Sequence, residues 1–353
     1  MGRLKRLIKV IEQFRKDGGK SISWVQFTIR LAHWVIILRE DLTTFFTFKI
    51  FMKEHKISTI LPHRKFFSIN NKLNPFYYRC LLEDKFAFDR YMTSYGFPLA
   101  EMVGFVENGQ IQWIKDGRKE SIDNLGSYSM DCFFKMLTRW GGQNVHKLEI
   151  QGELCRIDNS PGSLEQFKKL VSDGVYVLQK RVPQHMELDR LNPFCVNTIR
   201  MVTIHDGNFA YNFLNFIRIG ADKSIVDNLS MGGIGCGIHD DGTLYENGLY
   251  DYGSITHHPS SNVAFKGFVI PYFKQAQDLV REMHQSFHCF FLIGWDIAIT
   301  ESGPVVIEGN PVGELNFEQS IFGGIQAQFM EYARSYEKNR KDLLNDRIKH
   351  NKG

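Results

Sequence analysis

Apolar and polar residues alternate most regularly near the carboxyl end, in the stretch Ile293 to Asn310, IGWDIAITESGPVVIEGN. Two β-rich runs, Trp295 to Thr300 and Val305 to Asn310, flank Glu301, Ser302, Gly303 and Pro304, which favour turns, so the pattern predicts a hairpin. Side chains alternate faces along a strand, which sends Glu308 and Asn310 one way and Val305 and Ile307 into the core. A loop with an odd number of residues pairs Thr300 with Pro304 and sets Asp296 across from Glu308, with Cβ atoms about 4.5–5.5 Å apart. A second hairpin is predicted from Asn197 to His205 and Phe209 to Gly220, turning at Asp206-Gly207. It carries Arg200 and Arg218; a two-residue turn puts them on opposite faces and a three-residue loop aligns them. Phe105 to Trp113 is a shorter hairpin around Asn108-Gly109, and Tyr176 to Val182 is a buried strand ended by Pro183.

Helical spacing dominates elsewhere. Residues 1–60 read as helices, the most apolar being Trp24 to Leu38. That run is shorter than the ~20 residues a bilayer requires and is interrupted by Arg30 and His33, so it does not span. Two readings stay open for it. With Arg3, Lys5, Arg6 and Lys9 before it and Phe45, Phe46, Phe48 and Phe51 after it, it is either an interfacial helix touching a membrane or a segment whose aromatics pack on the body. Phe76 to Tyr95 predicts a helix ending at Gly96 and Pro98, and Asp131 to Trp140 one that stops at Gly141-Gly142. Phe273, Ala276, Val280, Met283 and Phe287 recur at the spacing of a core-facing helix. A last helix runs from Gln319 to about Tyr336, before a charged tail, Glu337 to Gly353.

The chain has 353 residues, more than one core usually holds, so two or three subdomains are expected. With 43% hydrophobic and 23% charged residues it has the composition of a folded protein, and a net charge of +4 is too mild to imply nucleic acid. Six cysteines lie scattered without a Cys-x-x-Cys pair, which argues against a zinc knuckle or a disulfide framework and fits a reducing, cytoplasmic setting. No apolar region with a cleavage site follows the first basic residues, so a secretory signal is not expected.

No Ser-His-Asp or Cys-His arrangement is legible, and adjacent His257 and His258 point in opposite directions. The chemistry left rests on acids. Asp296 and Glu308 repel each other unless a cation holds them, and with Asn310 they form an all-oxygen set suited to Mg²⁺; the plainer alternative is a hairpin with one solvated acidic face. Asp227 to Gly237, DNLSMGGIGCG, is glycine-rich, through either close backbone approach to a ligand or a bulged loop.

An Asp on one strand and Glu-x-Asn at the end of the next resembles the Mg²⁺-binding end of the ATP-grasp superfamily. VNTIRMVT (Val196 to Thr203), VDNLSMGG (Val226 to Gly233), IGWDIAIT and VIEGN resemble one branch of it, the sugar-transfer associated ATP-grasp proteins, across roughly Lys85 to Gln328. The resemblance implies an α+β ATP-grasp fold, two subdomains clasping ATP, with a helical N-terminal extension. The divisions expected are 1–60 for the extension, 61–135, a central lid at 136–182, 183–336 with the Mg²⁺ site, and the tail 337–353. Within the lid it implies strands around Val145 to Ile150, Leu154 to Ile157 and Val175 to Lys180, with a helix Leu164 to Val171 capped by Ser163.

By resemblance, Asp296, Glu308 and Asn310 hold Mg²⁺. Lys85, after Glu83-Asp84, and Lys147 meet the ATP phosphates, although the glycine-rich turn that usually follows the lid lysine is thin here, with only Gly152. Gln179, Lys180 and Val182 lie beside the adenine, with Glu187 at the ribose. Arg200 contacts the transferring phosphate, Arg218 or the glycine-rich loop steadies the developing oxyanion, and Asp227, Asn228, Gly232 and Gly233 bind substrate. The implied activity is an ATP- and Mg²⁺-dependent ligase that joins a small-molecule carboxylate to an amine or sugar acceptor through an acyl phosphate, in polysaccharide or sugar-conjugate synthesis. Two alternatives remain: a kinase acting on a hydroxyl, and a nucleotide-binding partner of a glycosyltransferase without chemistry of its own.

Overall fold

The computed structural model describes residues 23–47, 56–137, 145–251, 253–311 and 315–350. Among these, two antiparallel sheets carry the architecture. The first contains β1 (Met102–Glu107), β2 (Gln110–Trp113), β3 (Lys119–Ser121), β4 (Met130–Met136), β5 (Val145–Gln151), β6 (Leu154–Ile157), β7 (Ser160–Pro161) and β8 (Tyr176–Lys180), in the order β3-β2-β1-β8-β4-β5-β6-β7. The second contains β9 (Ile199–His205), β10 (Ala210–Ile219), β11 (Ile234–Ile238), β12 (Leu244–Tyr250), β13 (Gly253–Ile255), β14 (Leu292–Thr300) and β15 (Gly303–Asn310), in the order β13-β12-β11-β10-β9-β14-β15.

Local chemistry accounts for much of the first sheet. Asn108 and Gly109 both take positive φ, 50° and 71°, giving the two-residue turn that joins β1 to β2 with Glu107 opposite Gln110. Ser163 and Gln166 form a reciprocal capping box that starts the helix Leu164–Leu170. That helix lays Phe167 on Phe134, ring centroids 4.3 Å apart and both fully buried, so truncating either to Ala costs about 3–5 kcal/mol.

The segment from Asp131 differs from the expected helix: it is strand β4, paired on both sides by β5 and β8. Cys132, Phe134 and Met136 alternate into the core, while Phe133 and Lys135 face the other way. A central strand buried on both faces carries apolar residues on both, which hid its period. The expected end of that helix, at Gly141-Gly142, lies outside the described residues. Because β4 and β5 are hydrogen-bonded neighbours, the expected division at 135/136 cuts through one sheet that spans residues 102–180.

The helix expected from Phe76 to Tyr95 is broken. A 3-10 turn (Phe76–Tyr78) and a short helix (Cys80–Glu83) end at Asp84, whose side chain then caps the helix Lys85–Ser94 by accepting from the N–H groups of Phe86 and Ala87.

In the second sheet, the helix Phe273–Ser286 packs Phe273, Ala276, Val280 and Met283 onto one face, against Ile199, Met201, Ile293 and Trp295. The helices His63–Leu73 and Gln326–His350 cover the far end of the opposite face, where Val202, Ile204 and Leu292 lie. The near end of that face stays open toward the first sheet. The last helical stretch is two helices rather than one, Asn316–Phe322 and Gln326–His350, and the second continues through the expected tail.

The N-terminal extension is helical where described: Trp24–Ala32 continues as a π-helical turn, His33–Ile37, and Leu42–Thr47 follows. Phe45 and Phe46 pack with Trp34 and Phe27 in a small separate cluster. Arg3, Lys5, Arg6, Lys9, Phe48 and Phe51 lie outside the described residues.

Candidate active site

Cross-strand register brings the acids and one arginine together. β14 and β15 turn through Glu301-Ser302, an even loop with Thr300 opposite Gly303, which by itself would put Asp296 opposite Ile307. A β-bulge at Ile307 shifts the register, so that Asp296 pairs with Glu308. The expected pair forms, therefore, by a different route from the odd loop. Val305 and Ile307 also do not join the main core; Val306 does, and the other two pack with Ala100, Val182 and Ala298 in a small apolar wall facing the first sheet.

On its other side Asp296 pairs with Arg200 of β9. β9 and β10 are joined by a four-residue loop, Asp206 to Phe209, and a bulge near Phe213 sets Phe216 opposite Arg200, so Arg218, two residues on, shares their face. Glu308, Asp296 and Arg200 thus stand side by side on three adjacent strands, with Arg218 diagonal to them.

The Arg200 fork closes on Asp296, Nε donating to Oδ1 at 2.5 Å and Nη2 to Oδ2 at 3.2 Å. Arg218 Nη2 lies 2.9 Å from the same Oδ2. Burial alone would raise the Asp296 carboxyl, but Arg200 and Arg218 outweigh it and hold it at about 2. Glu308 goes the other way. Burial, the neighbouring Asp296 charge and a hydrogen bond between the two carboxyls push it up, against Lys135 and Lys85. Asn310 Nδ2 donates to Glu308 Oε1 at 3.3 Å.

This donor set fits Mg²⁺. An ionised carboxylate offers about four lone-pair positions, and three of those on Asp296 accept from arginine, leaving one. A divalent ion seated there against Glu308 and the Asn310 amide oxygen would take the place of the proton the two carboxyls share, and oxygen donors of this kind suit a hard ion.

Across the cleft the first sheet and the helix Lys85–Ser94 supply cations. Lys85, at the start of that helix, donates from Nζ to the carbonyl oxygens of Met136 and Leu137, at 3.0 and 3.3 Å. Burial lowers its affinity for a proton and Glu308 restores part of it. Lys135 of β4 is half-buried, donates to Gln179 Oε1 at 2.7 Å, and is likewise lowered by burial with Glu308 opposing. The main cleft is lined by Lys85, Lys135 and Arg218, by the acid pair with Asn310, and by the apolar wall at Ala100, Val182 and Ile307.

Of the residues expected at the nucleotide and substrate, Gln179, Lys180, Val182, Asp227 and Asn228 also line this cleft. Gln179 donates from Nε2 to the Ala100 carbonyl and accepts from Lys135, while Lys180 pairs with Glu101 at 2.7 Å. Lys147 does not line it. It is buried on the first sheet between Asp131, Glu149 and Asn159, at 3.6, 3.3 and 3.2 Å, whereas Lys135 lines the cleft and feels the Glu308 charge. Glu187 lies away from the cleft, paired with Arg190 across one turn of the short helix Met186–Asp189.

Asp227 accepts from the N–H and hydroxyl of Thr198 and lies 3.5 Å from Arg218 Nε, so it braces Arg218 where substrate contact was expected. Arg218 also donates from Nε and Nη2 to the Thr198 hydroxyl, at 3.0 and 2.7 Å. Although burial opposes its charge, Asp227, Asp296 and Glu308 together hold Arg218 protonated well above the usual guanidinium range. Gly232 and Gly233 do not reach the cleft. Gly232 takes φ 93° to end a 3-10 turn, and a Cβ on Gly233 would stand 2.2 Å from the Asp227 carbonyl oxygen, so the pair shapes the loop that presents Asp227. Lys135 and Thr198 went unnoticed in the sequence; the alternation of Cys132, Phe134 and Met136 was the signal for the first, and the Asn-Thr-Ile-Arg phrase around Arg200 for the second.

The model of the sugar-transfer associated ATP-grasp family matches residues 67–324, well over half of the chain. Among solved structures, an ADP complex of N5-carboxyaminoimidazole ribonucleotide synthetase is similar, with TM-score 0.41 and 11% identity over 66% of this chain and 45% of that one, so the present chain spans less than half of that protein. The D-alanine–D-alanine ligase of Bacillus anthracis is similar with TM-score 0.40 and 12% identity, over 77% of this chain and 70% of that one. The Helicobacter pylori D-alanine–D-alanine ligase gives TM-score 0.42 and 8% identity, over 72% and 61%. No curated protein matches the sequence. With the acid pair, its facing lysines and the family match in agreement, the chain belongs to the sugar-transfer associated ATP-grasp family.

Proposed function

We propose that the protein is an ATP- and Mg²⁺-dependent ligase that activates a small-molecule carboxylate as an acyl phosphate and passes the acyl group to an amine or hydroxyl acceptor. The observation that carries this reading is the register-built acid pair, Asp296 and Glu308, with Arg218 beside it and Lys85 and Lys135 facing it across one cleft. Phosphoryl transfer asks a protein mainly for positioning and charge neutralisation, and this arrangement offers both. Glu308, Asp296 and Asn310 would hold the metal, which when bound neutralises phosphate charge. Lys85 and Lys135 would meet phosphate oxygens from the opposite wall, and the apolar patch at Ala100, Val182 and Ile307 suits a base. Arg218, fixed by Thr198, Asp227 and Asp296, would steady an oxyanion on the acyl group without reorganising. Arg200 would act through Asp296, whose carboxylate it orients. The family's association with sugar transfer supports an acceptor or acid drawn from polysaccharide or sugar-conjugate synthesis, in the cytoplasm.

The test is ADP release from Mg·ATP with pooled carboxylic acids, amines and nucleotide sugars, repeated with hydroxylamine present. An acyl phosphate is captured as a hydroxamate, and the mass of the conjugate identifies the acid. ADP release with a phosphorylated hydroxyl and no hydroxamate would make the protein a kinase. Tight Mg·ATP binding with no ADP from any pool would make it a nucleotide-binding partner.

A further inference from the structure

The N-terminal helices carry a feature that the cleft does not use. One side of Trp24–Ala32 and the following turn His33–Ile37 is anchored: Trp34 is fully buried against Phe45 and Ile60, and its Nε1 donates to the Asp41 carbonyl at 3.0 Å. Among the described residues the other side has no cover. Val25, Ile29, Ile36 and Ile37 are 69, 62, 68 and 67% exposed. Val25 and Ile29 lie one turn apart and Ile36 two turns further along, so they form a stripe rather than scattered singles.

Charge is polarised along the sequence as well. The first 65 residues hold fourteen Lys and Arg against five Asp and Glu, a net +9, whereas the remainder, with 29 against 34, carries −5. Beside the stripe, Arg39, Lys56, Arg64 and Lys65 are exposed. Arg64 is tethered by its N–H to Glu40, and Lys65 meets Gln326, which with Ile29 and His33 borders one surface cavity. No helix among the described residues is long and apolar enough to cross a membrane. A second copy of the chain would bring two +9 segments face to face, which long-range repulsion opposes.

We propose that this face seats the protein on an anionic lipid bilayer, with Val25, Ile29, Ile36 and Ile37 entering the headgroup boundary and the surrounding lysines and arginines meeting lipid phosphates. The seat is tied to the catalytic body. Gln326 Nε2 donates to the Ser58 carbonyl at 2.8 Å, Leu61 N–H donates to Gln319 at 2.7 Å, and Gly324 packs so closely on Thr59 that a Cβ there would lie 2.1 Å from its hydroxyl oxygen. Seating therefore fixes how the cleft faces the membrane.

Flotation of the full-length protein with phosphatidylcholine vesicles, with and without phosphatidylglycerol, tests this. Binding only to vesicles containing phosphatidylglycerol is expected, weakened by salt. Both I29E/I36E and R39E/K56E/R64E should lower the bound fraction about tenfold or more while Mg·ATP affinity and the thermal midpoint stay as in wild type. The proposal is overturned if wild type fails to float with phosphatidylglycerol, if I29E/I36E floats equally well, or if wild type forms dimers that I29E/I36E abolishes.

Discussion

The two acids opposite each other should respond in contrary ways to losing their charge. Asp296 is buried between two arginines, which hold its carboxyl from 3.8 down to about 2. That drop, at about 1.36 kcal/mol per pH unit, is worth a few kcal/mol to the folded protein. Its folded value lies below its unfolded one, so this stability is present above pH 3.8 and is lost as pH falls toward 2. D296N also leaves Arg200 and Arg218 facing an amide, and breaking a buried pair typically costs about 3–5 kcal/mol. Glu308 is raised by burial and by Asp296, so its ionisation weakens the fold as pH climbs above the ordinary carboxylate range. E308Q removes that repulsion.

Scanning calorimetry at neutral pH, without metal or nucleotide, should show D296N melting several degrees lower, at roughly 2 °C per kcal/mol for a chain of this size. E308Q should melt at or slightly above wild type. Both should lose ADP release, and both should lose the melting shift that Mg·ATP gives wild type, about 2.7 kcal/mol at a hundred times its Kd. A fall in E308Q as large as that in D296N would refute the charge balance assigned to the pair.

Three further outcomes follow from individual residues. K135M should weaken ATP binding about 10- to 100-fold, as expected for a lost charge-assisted contact, while K147M leaves affinity within about twofold, both read by calorimetric titration. G233A should depress turnover more than G232A, because its Cβ meets the Asp227 carbonyl whereas Gly232 has open space and only backbone strain of about 1–2 kcal/mol; kcat for the two variants decides. His205 and His284 are buried neutral, brought down to about 4 and about 3. Stability should therefore fall as pH drops below 6.5, by up to roughly 3 kcal/mol from His205 alone, seen as a lower urea midpoint at pH 5 than at pH 7.5. The measurement belongs in E308Q, since Glu308 titrates in the opposite sense, and a flat profile there would contradict the assignment.

Elements governed by neighbours in the chain were legible in advance. Asn108-Gly109 specifies its own turn, and Ser163 with Gln166 specifies its own cap. What the sequence left open depended on partners far along the chain. Nothing local to Ile307 announces a bulge, and the register that joins Asp296 to Glu308 is settled by packing across three strands. β4 looked helical because Phe133 and Phe134 serve different faces, one toward the cleft and one toward the core, and that misreading concealed Lys135. Lys147 lies on the neighbouring strand β5, opposite Phe133, where Asp131 and Glu149 occupy it.

The most direct test of the account is an anomalous difference map from crystals grown with Mn²⁺ and a non-hydrolysable ATP analogue. The structure predicts a metal peak within about 2.0–2.3 Å of oxygens from Glu308, Asp296 and Asn310, with Lys85 and Lys135 on the phosphates. A nucleotide whose metal touches neither Glu308 nor Asp296, or one bound away from the cleft between the sheets, would contradict it.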